Sequence, residues 1–111
     1  MHAPGALRPL DGHPRPYVCD TDISVFDANP ELLTYKHLIV ECTFFGDDSS
    51  ADDPAPVHIY WDQLRPIVDA NPGVHFILIH FSMRYTKDRI RDFFEGEKHL
   101  HGLVNMTVWL N

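Results

Sequence analysis

Val74-His75-Phe76-Ile77-Leu78-Ile79-His80-Phe81-Ser82-Met83-Arg84-Tyr85 is the stretch from which the rest of the chain is read. Its first half, Val74 to Ile79, is apolar and rich in β-branched residues, apart from His75, and reads as a buried strand. The run stops at an imidazole, His80. A hydroxyl, a guanidinium and a phenol follow within five residues, at Ser82, Arg84 and Tyr85. A strand is rigid, so a histidine at its end is held well enough to serve as a metal ligand or an acid-base group. His75 opens the same strand. The odd separation of His75 and His80 puts them on opposite faces, so a regular strand cannot aim both at one site.

Moving outward, the pattern alternates strands and helices. Tyr17 to Cys19 reads as a short strand. Asp27-Ala28-Asn29-Pro30-Glu31-Leu32-Leu33 reads as a cap and a short helix with proline in its first turn. His37 to Cys42 is a second buried strand. Trp61, Leu64, Ile67 and Val68 have helical spacing, with Asp62 as cap and Asn71-Pro72-Gly73 as the stop. Pro66 suits only the start of such a helix. Thr86 caps a last helix that turns Ile90, Phe93 and Phe94 inward and that Gly96 is expected to close. Val104 to Leu110 reads as a terminal strand with Met106, Val108 and Leu110 on one face. The class is α/β, a mostly parallel sheet covered by helices on at least one face. Residues 1–16, rich in proline and glycine, read as an irregular N-terminal tail.

Composition limits the functions open to such a domain. The 111 residues allow one modest core, and 44% hydrophobic with 12% aromatic residues is the make-up of a folded chain. A net charge of -7 argues against a broad nucleic-acid footprint, although Arg84, Lys87, Arg89 and Arg91 form a local basic patch. No apolar stretch is long enough to span a bilayer, so no membrane partner is expected. Cys19 and Cys42 read as reduced core thiols of a cytoplasmic protein, with the nucleus and mitochondrion left open. The acidic loop with Asp47, Asp48, Asp52 and Asp53 lacks the alternation and distal glutamate of a calcium loop. His99-Leu100-His101 lacks the continuation that would make it a metal motif.

In parallel sheets ligands gather beyond the carboxyl ends of the strands. Asp20, Glu41 and His80 fall there, after the first, second and third apolar strands. Asp20 and Thr21 read equally well as turn formers. Glu41, at the end of an apolar run, requires a partner: a metal, an arginine such as Arg84, or backbone amides. His58 is expected to open the helix after the acidic loop, where it can enter a site.

Cys19-Asp20-Thr21, Glu41-Cys42-Thr43-Phe44, His58 and His80-Phe81-Ser82-Met83-Arg84-Tyr85, in that order, resemble the C-terminal half of the metallo-β-lactamase-fold hydrolases. The resemblance is to their tRNase Z (ribonuclease Z) branch and covers roughly Tyr17 to Phe94. It implies half of an αββα sandwich, residues 17–111, with helices packed on one sheet face. It implies zinc as cofactor, with Asp20 as the bridging ligand and His80 as the last histidine ligand. It further implies His58 as the group that protonates the leaving oxygen and Glu41 as the residue that orients it. Thr21, Thr43, Ser82, Arg84 and Tyr85 would be structural around the site.

The family's His-x-His-x-Asp-His motif is absent, and Cys19 stands where the family has glycine. A catalytic zinc needs about three protein ligands, so the resemblance implies an incomplete site. A completing N-terminal half-domain or self-association is the expected partner, with precursor tRNA as substrate only of the complete enzyme. Two other readings stand beside it. One is a non-catalytic interaction module that keeps the half-fold; the other is a different metallo-β-lactamase-fold hydrolase. A homodimer that builds a metal site from Asp20, His58 and His80 of both copies is a further arrangement.

Overall fold

A computed structural model of the chain describes residues 22–110 and the backbone of Tyr17–Cys19. Asp20, Thr21 and the expected tail lie outside the described residues. Four strands form one sheet: β1 (Tyr17–Cys19), β2 (His37–Glu41), β3 (His75–Ile79) and β4 (Met106–Val108). Their order is sequential and every pairing is parallel. Three α-helices connect them: α1 (Ser24–Ala28), α2 (Trp61–Ala70) and α3 (Lys87–His101). The chain is α/β, as its sequence pattern indicates.

The sequential order has a consequence for the two sheet faces. Crossovers between parallel strands are right-handed, and three right-handed crossovers that step the same way all lie on one face. That face carries Leu38, Val40, Phe76 and Leu78, all fully buried, together with Met106. They join one core with Val25 and Phe26 of α1, Leu64 and Val68 of α2, and Ile90 and Phe94 of α3. The alternate residues point the other way. Ile39, Ile77 and Ile79 on that second face are only half-buried, and His37 is exposed.

Local chemistry explains where the elements begin and end. Thr86 caps α3, its Oγ1 accepting from the Arg89 N–H at 3.1 Å. Gly96 does not close that helix. It sits inside, α3 runs on to His101, and Gly102 ends it in the left-handed conformation with φ 64°. A glycine within a helix costs only about 1 kcal/mol, whereas the left-handed C-terminal position selects glycine strongly. In α2 Tyr60, not Asp62, is the capping residue. Asp62 instead accepts from Ser49 Oγ, Ser50 N and Ser50 Oγ at 3.0 to 3.1 Å, tying the acidic loop to the helix. Pro66 lies in the interior of α2 rather than near its start. Its missing N–H leaves the Asp62 carbonyl without its usual donor. Both residues are exposed, so water can take that place. The expected helix around Pro30 is a 3-10 turn, Pro30–Thr34, after the short α1. The terminal strand is shorter than expected, Met106–Val108.

Candidate functional site

The segment that leaves β2 is gripped from both sides. On one side Thr43 N–H donates to the Ile59 carbonyl at 3.0 Å and Trp61 N–H to the Phe44 carbonyl at 2.8 Å. On the other, Cys42 N–H donates to the Ile79 carbonyl and Ser82 N–H to the Thr43 carbonyl, both at 2.9 Å. Residues 41–44 are thereby fixed between the segment that enters α2 and the segment that leaves β3. Because all crossovers share one face, these loops lie against one another beyond the carboxyl ends of the strands.

This bracing brings Glu41 and His58 together. Their side chains approach at 3.4 Å, Nδ1 of His58 to Oε1 of Glu41. Thr43 Oγ1 donates to the other carboxylate oxygen at 3.2 Å. The Glu41 side chain is only 6% exposed, and that of His58 is 50% exposed. Glu41 thus has its required partners, but Arg84 is not among them. Arg84 pairs with Asp48 at 3.1 Å and lies 4.9 Å over the Phe44 ring, with its side chain mostly in solvent. A hydroxyl two residues away and an imidazole from the next loop satisfy the carboxylate instead. His58 is not in a helix. It precedes α2 by three residues, in the loop that runs beside Phe44.

An ionised carboxylate only accepts hydrogen bonds, so the proton of the neutral imidazole belongs on Nδ1. That leaves Nε2 for a substrate. A buried carboxylate behind a half-exposed histidine is the arrangement that orients an acid-base group.

His58 meets the Phe44 ring edge-on at 6.2 Å between centroids, and the next residue, Phe45, centres an aromatic cluster. Phe45 is 1% exposed and stacks on Tyr85 at 4.0 Å, Phe93 at 4.6 Å and Phe94 at 5.2 Å between ring centroids. The Tyr85 hydroxyl accepts from the Phe45 N–H at 3.1 Å and donates to Asp48. Burial, reinforced by that carboxylate, pushes the Tyr85 phenol up to about 12. Burial likewise pushes the Cys42 thiol far above its ordinary value, which keeps it protonated and unreactive. Ser82 turns inward on its own loop, its Oγ accepting from the Arg84 N–H at 3.3 Å. Of Thr43, Ser82, Arg84 and Tyr85, only Thr43 touches the Glu41–His58 pair; the side chains of Ser82, Arg84 and Tyr85 meet their own loop and Phe44, Phe45 and Asp48.

His80 follows β3 directly and takes a left-handed backbone, φ 59°. A histidine in that region costs on the order of 1 kcal/mol, and residues so held concentrate at functional sites. The loop carboxylates are not pooled for a cation: Asp48 serves Arg84 and Tyr85, and Asp53 accepts from the Tyr60 hydroxyl at 2.9 Å. Among the described residues no three histidine, cysteine, aspartate or glutamate side chains converge as a metal site. Asp20, the expected bridging ligand, lies outside the described residues. His99 and His101 belong to the last turn of α3, where His101 pairs with Glu97 at 3.7 Å, not to a connection.

The sequence reading missed two features. One is Asp48 as the shared acceptor of Arg84 and Tyr85, which its place in a run of four acidic residues concealed. The other is a second histidine pair. Register sets His37 directly opposite His75 at the amino ends of β2 and β3, with ring centroids 6.0 Å apart. Each histidine opens an apolar strand, and that shared position was the available signal.

No protein-family model matches this chain, and no curated protein matches its sequence. No helix among the described residues is long and apolar enough to cross a membrane.

Proposed function

We propose that this chain is the C-terminal portion of a tRNase Z-like, zinc-dependent endoribonuclease, acting on precursor tRNA once a His-x-His-x-Asp-His half completes it. The observation that carries the reading is the Glu41–His58 contact. These two residues were paired by resemblance alone, seventeen positions apart, and their side chains meet at 3.4 Å beyond the carboxyl end of the sheet. The left-handed backbone at His80, directly after β3, adds to it.

The described residues do not fit a complete zinc site. Zinc enters the reading through Asp20 and the completing half, where it would supply Lewis-acid chemistry at the scissile phosphodiester. The contribution of this chain is proton handling. Glu41 fixes the ring of His58. His58 then gives the Nε2 proton to the departing ribose oxygen. A positioned general acid contributes about 10²- to 10⁴-fold in rate. The αββα sandwich belongs to the same proposal, since the open sheet face is where a second half would pack.

The test is isolation of the chain from its native cells with whatever accompanies it. The expected result is a His-x-His-x-Asp-His sequence, either contiguous in the coding region or on a co-purifying chain. Bound zinc and cleavage of precursor tRNA should accompany it, with His58→Ala slowing cleavage about 100-fold or more. Neither a contiguous nor a co-purifying His-x-His-x-Asp-His sequence, or cleavage indifferent to His58→Ala, overturns the reading.

A further inference from the structure

The open face of the sheet, which a second half would cover in the reading above, carries a pair of histidines that the proton-handling residues do not involve. His37 and His75 stand directly across from each other at the amino ends of β2 and β3. Their rings are 6.0 Å apart between centroids and tilted by 56°. Leu38 and Phe76, their chain neighbours, point into the helix-covered core, so both histidines project from the other face.

We propose that His37 and His75 form a two-histidine site for a divalent transition-metal ion on this open face. Three observations support it. The first is separation. Metal–nitrogen bonds of about 2.0–2.1 Å allow two imidazoles to share one ion when their centroids are roughly 5–6 Å apart, so little movement is needed. The second is orientation. His75 Nε2 lies 2.6 Å from Thr107 Oγ1 on β4, and that contact fixes the ring and leaves Nδ1 for a metal. Ligating histidines commonly have such a partner on the second nitrogen. The third is surroundings. His37, His75 and Thr107 line an open groove with Ile77, Val108 and Trp109.

Charge acts in the same direction. Burial, then His37 and Lys98, hold the His75 imidazole below its ordinary value, which keeps it in the neutral form that binds metals. Imidazole pairs suit copper, nickel and zinc, with copper bound most tightly. Two protein ligands leave the other positions to water or to an incoming molecule. The site is not the zinc site of the proposed function. It lies at the opposite end of the same strands, four residues or about 13 Å from the Glu41 level.

Trp109 provides a local readout. It lines the same groove and is 58% exposed, whereas Trp61, the other tryptophan, is 3% exposed in the core. Titration of the full chain with Cu²⁺ at neutral pH should quench Trp109 fluorescence to saturation at one equivalent. His37→Ala and His75→Gln should each weaken that quenching at least about tenfold, and Thr107→Val about tenfold through loss of ring orientation. His58→Ala and His80→Ala should leave it unchanged, so the outcome is separate from that of the endoribonuclease reading. His37 is exposed, so its replacement does not threaten folding. No saturable quenching, or quenching undiminished in His37→Ala, overturns the assignment.

Discussion

Strands β2 and β3 hold histidines near both of their ends, and the two ends are built in opposite ways. At the carboxyl end a buried carboxylate, Glu41, stands behind His58, and backbone hydrogen bonds among three segments brace the loops, with an aromatic cluster around Phe45 in the same region. At the amino end His37 and His75 face each other, and a hydroxyl, that of Thr107, meets the His75 ring. The first setting orients the ring of His58 and suits proton transfer. The second keeps His75 neutral and suits ligation. What separates the two settings is the group each ring meets, a carboxylate for His58 and a hydroxyl for His75. The ends also differ in how much of the fold depends on them, and that difference can be broken experimentally.

The largest effect is expected at the aromatic cluster. Phe45 fills the space under the carboxyl-end loops and touches four other rings. Phe45→Ala removes a fully buried phenyl group and should cost about 3–5 kcal/mol in chemical unfolding. A cost below 1 kcal/mol would mean that the loops do not rest on this ring, and the contrast between the two ends would fail.

Tyr85→Phe sharpens the same point. It leaves the Phe45 N–H and Asp48 without their shared hydroxyl, at a cost of about 1–3 kcal/mol near neutrality. It also carries a signature in alkali. The phenol is neutral in the fold up to about 12, while in the unfolded chain it ionises near its ordinary value of 10. Its contribution is therefore fully present below pH 10 and is lost as pH rises toward 12, by about 2–3 kcal/mol. Unfolding curves between pH 9 and 12 should show a steeper decline in the native chain than in Tyr85→Phe, the contributions of the raised Cys42 and Tyr60 being common to both.

The two ends were also unequally legible in the sequence. The β3 run and its stop at His80 stood out because apolar period and polar punctuation coincide there. Glu41 could be seen to need a partner, because an unpaired charge at the end of a buried strand is costly. The identity of that partner could not be read from local pattern, since it depends on the chain seventeen positions on folding back beside Phe44. Resemblance named His58, and charge complementarity alone would have named Arg84. At the amino end the alternation gave the face of His75, but not its neighbour. Register is a tertiary property, and only the pairing of β2 with β3 sets His37 opposite. Helix ends failed where two rules competed: Gly96 and Gly102 both look like stops, and only the backbone conformation separates them.

Glu41→Gln should act on the site more than on the fold. Shape is kept, while one charge-assisted contact to Thr43 or His58 is weakened, a cost of about 1 kcal/mol. The diagnostic change is in the ring of His58. With the carboxylate at Nδ1, nitrogen NMR should find the neutral ring protonated there. Glu41→Gln should return it to the mixed tautomers of a free histidine. An unchanged tautomer would show that Glu41 does not orient His58, and would remove the feature that sets the carboxyl end apart.

The smallest effect is expected at the amino end, and its sign with pH is the reverse of that at Tyr85. His75 resists protonation in the fold because of its burial and the neighbouring His37 and Lys98, while the unfolded chain takes up its proton near the ordinary value of 6.5. The unfolded state thus binds more protons below that value, so this contribution is full above about pH 6.5 and is lost as pH falls. His37→Ala removes one of the two opposing charges from an exposed position. At pH 8 it should change stability by less than about 0.5 kcal/mol. Between pH 7 and 5 it should lose less stability than the native chain, because protonation of His75 no longer meets a second imidazolium across the strand. Urea midpoints at pH 8 and pH 5 measure both quantities. Equal acid sensitivity in the two proteins would mean that the facing rings do not interact, and the amino end would then be two separate surface histidines rather than a pair.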